Sequence, residues 1–243
     1  MNRLLAGLRA PRPGPGVCVR CFNFTREQGY ELCYACTTGE PRLDAIVPIA
    51  YSVAHEQLHH DLVRYKRGAD PWVEIATARL ALILRRFLAA HEACVAAAAG
   101  VDRFDLVAAV PSGVAGRDEH HPLRRIVGEL VASTAVRHER LLRRSGADLR
   151  PRGFDPGRYE AVRPLAGASV LLIDDTWTTG ASAQSAAAAL KAAGAGRVGA
   201  VVIGRHLNRD WCQNDLRLRR TAGPFSFSVC ALCGSSVPEV QAA

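Results

Sequence analysis

The sequence lacks any run of about 18 or more uncharged apolar residues, which argues against a transmembrane helix. It also lacks low-complexity tracts, and its 49% hydrophobic and 22% charged residues are ordinary values for a globular protein. Long disordered and collagen-like classes are therefore excluded. The 243 residues suffice for one full core with an appendage, or for two small domains.

The first residues, MNRLLAGLRAPRPGPG, lack the layout of a secretory signal. Their apolar piece is shorter than the usual apolar region of such a signal, and three prolines follow it at once. We therefore expect a cytoplasmic protein with a flexible leader over residues 1–16 and no membrane partner.

Lysine is scarce. Of the 31 basic residues only Lys66 and Lys191 are lysines, and the other 29 are arginines. The net charge is +8 and the isoelectric point is about 9.4. The planar arginine fork suits phosphate groups. The balance thus fits an anionic partner such as a phosphorylated small molecule or a nucleic acid, but an ordinary solvated surface would look the same.

Six of the eight cysteines form three C-x-x-C pairs, of which two lie close together in CVRCFNFTREQGYELCYAC. Without a secretory signal, metal binding explains such pairs better than disulfides do. Two C-x-x-C turns complete a tetrahedral all-thiolate shell, which predicts a structural zinc site in a ribbon-like module over residues 17–40. A redox pair or reactive thiols are the alternative. The predicted ligands are Cys18, Cys21, Cys33 and Cys36.

The third pair, Cys230 and Cys233, has no neighbouring partner pair in the sequence. His206 and Cys212 lie upstream and could complete a second Cys₃His metal site. Two buried free thiols are the alternative. Cys94 lies in an alanine-rich helical run and is predicted to be a small core residue.

Apolar runs alternate with helical patterns along much of the sequence, which predicts an α/β fold with a parallel sheet. Each short apolar run bounded by turn residues is typical of a buried parallel strand. We expect strands over 44–53, 104–110, 168–173 and 198–204, helices over 55–67, 72–99, 122–136 and 181–193, and a polar loop over 149–164.

The segment after the strand predicted over 168–173 carries the strongest chemical signal. Asp174 and Asp175 are adjacent carboxylates, which repel each other unless hydroxyl groups or a metal bind them. The hydroxyl- and glycine-rich stretch 178–182 then leads into a helix N-terminus, where backbone N–H groups bind phosphate well. A carboxylate pair followed by a phosphate cradle describes a ribose 5-phosphate site, although helix caps and strand-end aspartates also occur without one.

The stretch VLLIDDTWTTGAS resembles the phosphoribosyl diphosphate motif of type I phosphoribosyltransferases. The C-x-x-C pairs, the strand near 44–53 and RGFDPGRY over 152–159 resemble the ComF-type subfamily most closely. The resemblance implies a type I phosphoribosyltransferase-like parallel sheet flanked by helices and a flexible hood, with a zinc ribbon in front and Mg²⁺-dependent use of phosphoribosyl diphosphate. It would place that domain over 41–212 and a C-terminal tail with C-x-x-C over 213–243.

The same resemblance implies roles for individual residues. Asp174 and Asp175 would be the catalytic pair that holds the ribose hydroxyls, and the stretch that follows would bind the 5-phosphate through Thr178, Thr179, Gly180, Ala181 and Ser182. The diphosphate would meet Ser112, Gly113 and Arg117. An Arg-Gly-Phe-Asn-Gln stretch usual in the subfamily is replaced here by RDEHH over 117–121. Lys66 and Arg67 resemble a basic position of the family, and the candidate general bases are Asp118, His120 and His121.

Two functions are therefore predicted, and a regulatory protein that senses the sugar diphosphate without turnover is a third option. The first is transfer of a phosphoribosyl group to an unidentified acceptor, with diphosphate as the leaving group. The alternative is a ComF-like accessory protein of DNA uptake or processing that keeps the fold without turnover, with DNA or a DNA-processing protein as its partner. For that alternative, binding to DNA should weaken steeply as salt rises.

Overall fold

A four-stranded parallel sheet organises the chain in the computed structural model, which describes residues 7–68, 70–112, 121–146 and 153–234. The spatial order of its strands is β2-β7-β6-β3, and every neighbouring pair is parallel. In chain order the elements are β1 (Arg9–Ala10), α1 (Tyr34–Thr38), β2 (Ala45–Val53), α2 (Gln57–Arg64), α3 (Pro71–Ala99), β3 (Leu106–Ala109), α4 (Pro122–Arg125), a π-helical turn (Ile126–Leu130), α5 (Ala132–Ala135), β4 (Leu142–Arg144), β5 (Tyr159–Ala161), β6 (Ser169–Trp177), α6 (Ala181–Ala192), β7 (Arg197–Leu207), α7 (Asn214–Thr221) and β8 (Gly223–Pro224).

Apolar side chains cover both faces of this sheet, as expected for a parallel sheet between helices. In β6, Leu171 and Ile173 belong to the core that contains the apolar face of α3. Val170 and Leu172, which alternate with them, belong to a second core that contains α6 and the cysteine module. The predicted α/β class with a parallel sheet flanked by helices is confirmed.

Helix α3 is one unbroken helix of 29 residues, close to the range predicted from the sequence. It begins where the Asp70 side chain accepts hydrogen bonds from the backbone N–H groups of Trp72 and Val73, at 2.8 and 3.1 Å. It ends at Gly100, whose φ of 76° is the left-handed conformation that glycine adopts readily. Among the helices that the structure describes, none is long and apolar enough to cross a membrane.

Several short elements depart from the predicted ones. The helix predicted over 122–136 is three pieces, because Val131 has an extended backbone (φ −110°, ψ 97°) between the π-helical turn and α5. The predicted loop 149–164 contains β5, which pairs with β4. Residues 7–16, expected in a flexible leader, include β1, and its antiparallel partner β8 lies in the expected tail.

Candidate functional site

An open cleft of about 710 Å³ lies where β2, β6 and β7 reach their carboxyl ends and where the chain leaves β3. Ligands of open parallel sheets bind at this edge. Residues from all four strands or the turns after them contribute to its wall. The lining residues are Ser52, His59, Leu62, Val63, Lys66, Arg67, Val110, Pro111, Ser112, His121, Asp174, Asp175, Thr176, Thr178, Ser182 and His206.

The two aspartates of the sequence motif lie in this cleft, where both are buried. They belong to β6 itself. The prediction that the strand ends at residue 173 was wrong, because pairing with β7 continues as far as Trp177 opposite Arg205. The carboxylates are therefore fixed by the sheet and not by a loop.

Asp175 is held by two side chains from the end of α2. Its Oδ2 accepts a short hydrogen bond from the Tyr65 hydroxyl and lies 2.6 Å from the Lys66 ammonium nitrogen. Burial opposes ionisation of this carboxyl, but the Lys66 charge and the two hydrogen bonds together lower its pKa below the usual value. Asp175 is therefore the ionised member of the pair.

Asp174 has the opposite character. Burial, followed by repulsion from Asp175, raises the pKa of Asp174 to about 7. Its Oδ1 accepts a hydrogen bond from the backbone N–H of Asp175 at 2.9 Å. The ligand-free cleft thus holds one carboxylate and one group that gives up its proton near neutrality, and a bound cation would favour loss of that proton.

Asp174→Asn is expected to stabilise the ligand-free protein at pH 8 but not at pH 4. The folded state binds the Asp174 proton more tightly than the unfolded chain, whose aspartate pKa is about 3.9, so the wild-type protein loses stability as pH rises from about 4 to about 7. Asparagine does not titrate. The gain, on the order of 1–3 kcal/mol, should grow over that window and then level off, as measured by urea unfolding at pH 4, 6 and 8.

The exposed Asp210 offers a matched control, because Asp210→Asn removes a carboxylate outside the cleft and should leave stability nearly unchanged at each pH. A gain for Asp174→Asn of equal size at pH 4 and pH 8 would contradict burial of an ionisable carboxyl as its cause.

The predicted phosphate-binding stretch forms the turn between β6 and α6. Gly180 caps the helix with φ 85°, and a Cβ there would lie 2.1 Å from the Trp177 ring, so only glycine fits. Thr178 and Ser182 line the cleft. The other three predicted residues, Thr179, Gly180 and Ala181, line a smaller neighbouring cavity of about 280 Å³.

The predicted diphosphate-binding residues are only partly described. Ser112 follows β3, the edge strand next to β6, and lines the cleft. Tyr159 donates a hydrogen bond to the carbonyl oxygen of the neighbouring Pro111 at 3.2 Å. Gly113 and Arg117 lie outside the described residues, as do Asp118 and His120. Of the candidate bases, His121 lines the cleft.

Several residues of the cleft were not identified from the sequence. Ser52 is fully buried, and its Oγ has no hydrogen-bond partner among the described residues. The rings of His59 and His206 lie side by side with centroids 5.7 Å apart. Their position in the sequence could have identified two of them. Ser52 and His206 are near the carboxyl ends of the strands predicted over 44–53 and 198–204, where ligands of parallel sheets bind.

The four cysteines of the N-terminal module form a group whose sulfur atoms all lie within 4.8 Å of one another. All four side chains are buried. A closed set of four thiolates at this spacing fits a tetrahedral structural zinc ion, so the residues present match the predicted metal. The group is Cys18, Cys21, Cys33 and Cys36.

Arg205 connects this cysteine group to the turn after β6. Its guanidinium is almost fully buried and lies 3.2 Å from the carbonyl oxygen of Cys21 and 3.8 Å from its sulfur. The same group donates to the carbonyl oxygens of Trp177 and Thr178 at 2.8 and 3.1 Å, and to that of His206 at 2.8 Å. One cation therefore holds the cysteine module, the predicted phosphate-binding turn and the end of β7 together.

The second metal site predicted from the sequence has different ligands in the structure. Cys230 and Cys233 lie with His91 and Cys94, and these four side chains form a group that could hold a metal such as zinc. His206 lines the cleft instead, and Cys212 is exposed. Cys94, predicted to be a plain core residue, is a half-buried member of the group.

No family model matches the sequence, and no curated protein is significantly similar to it.

Proposed function

We propose that this protein binds phosphoribosyl diphosphate together with Mg²⁺ in the cleft and transfers the phosphoribosyl group to an acceptor, releasing diphosphate. The single observation that carries the proposal is the buried pair Asp174 and Asp175 on the cleft wall, followed within one turn by the N-terminus of α6. A ribose 5-phosphate has two neighbouring hydroxyl groups on its ring and a phosphate on its exocyclic carbon. Its binding site therefore needs the carboxylates and the phosphate-binding turn next to each other.

The carboxylates would bind the ribose. They have acceptor oxygens and are set in a rigid strand, so two neighbouring hydroxyl groups can donate to them without rearrangement of the backbone. The Lys66 ammonium beside Asp175 already offsets part of their charge. Bringing an anionic sugar phosphate next to two carboxylates requires such compensation.

The turn 178–182 would bind the 5-phosphate. Thr178 and Ser182 line the cleft, and the 12-residue helix α6 begins at Ala181 with its N–H groups and dipole directed toward this end. Gly180 allows this turn to form, because its φ of 85° and the Trp177 ring against it leave no room for a side chain.

Besides the aspartates, the cleft contains the basic side chains of Lys66 and Arg67, which suit a polyanion. Apart from the aspartate pair, the titratable side chains among its described lining residues are all basic or histidine. These residues are His59, Lys66, Arg67, His121 and His206.

In this proposal the chain positions the sugar and compensates charge. Displacement at ribose C1 breaks the bond to diphosphate as an acceptor nitrogen forms the new bond, and the proton of that nitrogen leaves to a nearby base or water. Mg²⁺ would supply positive charge that offsets the charge of the diphosphate. Asp174 and Asp175 hold the ribose hydroxyls while positive charge develops on the ring, and basic side chains near the leaving group favour its departure.

The proposal is tested by isothermal titration calorimetry with phosphoribosyl diphosphate and Mg²⁺ at pH 8. We expect saturable binding to the wild-type protein and affinity weaker by about 100-fold or more in Asp174→Asn/Asp175→Asn, since two hydrogen bonds to charged groups are lost. Asp210→Asn is the matched control and should bind like the wild type. Absence of binding to the wild type, or equal binding by the double variant, would overturn the proposal.

Turnover is tested separately. Diphosphate release should require Mg²⁺ and one acceptor from a panel of purine bases, pyrimidine bases and amines, and it should be lost in the double variant. Binding without release of diphosphate by any acceptor would limit the protein to recognition of the sugar diphosphate.

A further inference from the structure

We propose that His91, Cys94, Cys230 and Cys233 bind a second structural zinc ion, which clamps the C-terminal segment 225–234 onto helix α3. This site lies outside the cleft and does not depend on the proposed function. It takes ligands from two parts of the chain that are more than 130 residues apart, since His91 and Cys233 are separated by 142 positions.

The distances match a tetrahedral ion. Around zinc, with bonds of about 2.3 Å to sulfur and about 2.0 Å to nitrogen, two sulfurs lie about 3.8 Å apart and a sulfur and a nitrogen about 3.5 Å apart. The sulfurs of Cys230 and Cys233 are 3.4 Å apart. His91 Nδ1 is 3.7 Å from the sulfur of Cys94 and 3.7 Å from that of Cys233. All four ligand atoms lie within 4.8 Å of one another.

The hydrogen bond on the far side of His91 sets the ring for metal binding. Its Nε2 lies 3.0 Å from the carbonyl oxygen of Phe227, which can only accept, so Nε2 carries the proton and donates it. In the neutral ring, Nδ1 then keeps a free lone pair, and Nδ1 is the atom that points into the group of sulfurs. A backbone carbonyl is one of the common outer partners of a zinc-binding histidine.

The local backbone brings the two ligands of each pair close together, both in α3 and in the C-x-x-C turn. His91 and Cys94 are three residues apart in α3 and therefore lie on the same helix face. In the C-x-x-C turn, the N–H of Cys230 lies 3.2 Å from the sulfur of Cys233, and the N–H of Cys233 lies 3.4 Å from the sulfur of Cys230.

The segment that carries the C-x-x-C pair packs on the core that contains α3, where Cys230 and Ala231 are buried. Beyond β8 it forms turns, and its contacts with α3 include the Phe227 ring, which packs beneath the Arg86 guanidinium at 4.6 Å. A metal that binds only the folded arrangement would add its binding free energy to the stability of this segment. With four protein ligands and no open position, the ion would be structural.

The test is the zinc content of the full chain purified under reducing conditions, measured by plasma mass spectrometry. We expect two zinc ions per wild-type chain and one in Cys94→Ser/Cys233→Ser. Cys212→Ser is the matched control, because Cys212 is exposed and outside both groups, and it should keep two. One zinc per wild-type chain, or two in the double variant, would overturn the proposal.

A second measurement needs no variant and so does not depend on folding of a mutant. X-ray absorption at the zinc edge of the wild-type protein should give a mean shell of about 3.5 sulfur and about 0.5 nitrogen ligands per zinc, the average of Cys₄ and Cys₃His. A sulfur-only shell would contradict the second site. So would a disulfide between Cys230 and Cys233 found by mass spectrometry in the anaerobically purified protein.

Discussion

Replacing Arg205 by methionine is expected to lower the free energy of unfolding by about 3–5 kcal/mol. The guanidinium is 2% exposed and donates to backbone carbonyls of Cys21, Trp177, Thr178 and His206. Methionine fills a similar volume but leaves those buried acceptors without donors, and each such acceptor costs about 1–3 kcal/mol. The change is measured by urea unfolding of the zinc-loaded protein.

The effect should also reach the cysteine module. Four thiolates around one Zn²⁺ carry net negative charge, and the positive guanidinium beside the sulfur of Cys21 offsets it. We therefore expect Arg205→Met to release zinc to a chelator faster than the wild type. Arg205→Lys keeps the charge but not the planar fork, and it should restore part of the lost stability.

Arg217 provides the matched control for this prediction. It also donates to two carbonyl groups of the cysteine module, those of Thr25 and Arg26, but it lies at a half-buried position. Water can replace its hydrogen bonds, so Arg217→Met should cost only about 1 kcal/mol. Equal losses for the two variants would show that burial of Arg205 is not the source of its effect.

Replacing Cys33 by serine is expected to unfold the module over residues 17–40. Structural zinc in small modules contributes about 10–16 kcal/mol of apparent binding free energy, which exceeds the stability that so short a segment gains from its own core. The variant should bind one zinc fewer than the wild type. Limited proteolysis with mass spectrometry should show cleavage within 17–40, where the wild type is protected.

Loss of the module should also lower the stability of the whole protein, because the module packs on the sheet. Tyr51 in β2 donates a hydrogen bond to the carbonyl oxygen of Phe22 at 2.7 Å, and Arg205 joins Cys21 to the turn after β6. We expect the melting temperature of Cys33→Ser to fall by roughly 10 °C or more. Cys212→Ser should melt and resist protease like the wild type. Protection of segment 17–40 in Cys33→Ser that has lost the zinc of this module would contradict a structural role for that zinc.

The sequence predicted the sheet well where the signal was local. Runs such as VLLI and VGAVVIG are apolar on both faces and bounded by turn residues, which is how buried parallel strands differ from other elements. The end of β6 was not predictable in this way. The DDTW stretch is polar at its start, and only its pairing with β7 keeps it extended.

Contacts between distant parts of the chain account for the other differences. The sequence predicts a core role for Cys94 because its partners Cys230 and Cys233 are far away along the chain, and it favours His206 as their partner because His206 is nearer. The spacing of His91 and Cys94 in a helix was the available signal. In the cleft, the aspartate pair was evident from adjacent residues, whereas Lys66 meets Asp175 only through the packing of α2 against the sheet.

The position of β2 at the edge of the sheet has a consequence for synthesis of the chain. In the four-stranded sheet β2 pairs only with β7. During synthesis, residues 45–53 therefore cannot form their strand pairing until residues 199–207 have been added to the chain. At about 5–20 residues per second that interval is roughly 8 to 30 s, during which an apolar strand lacks its neighbour. Pro48, in the middle of β2, has no N–H to donate and therefore weakens pairing of the nascent strand with another copy.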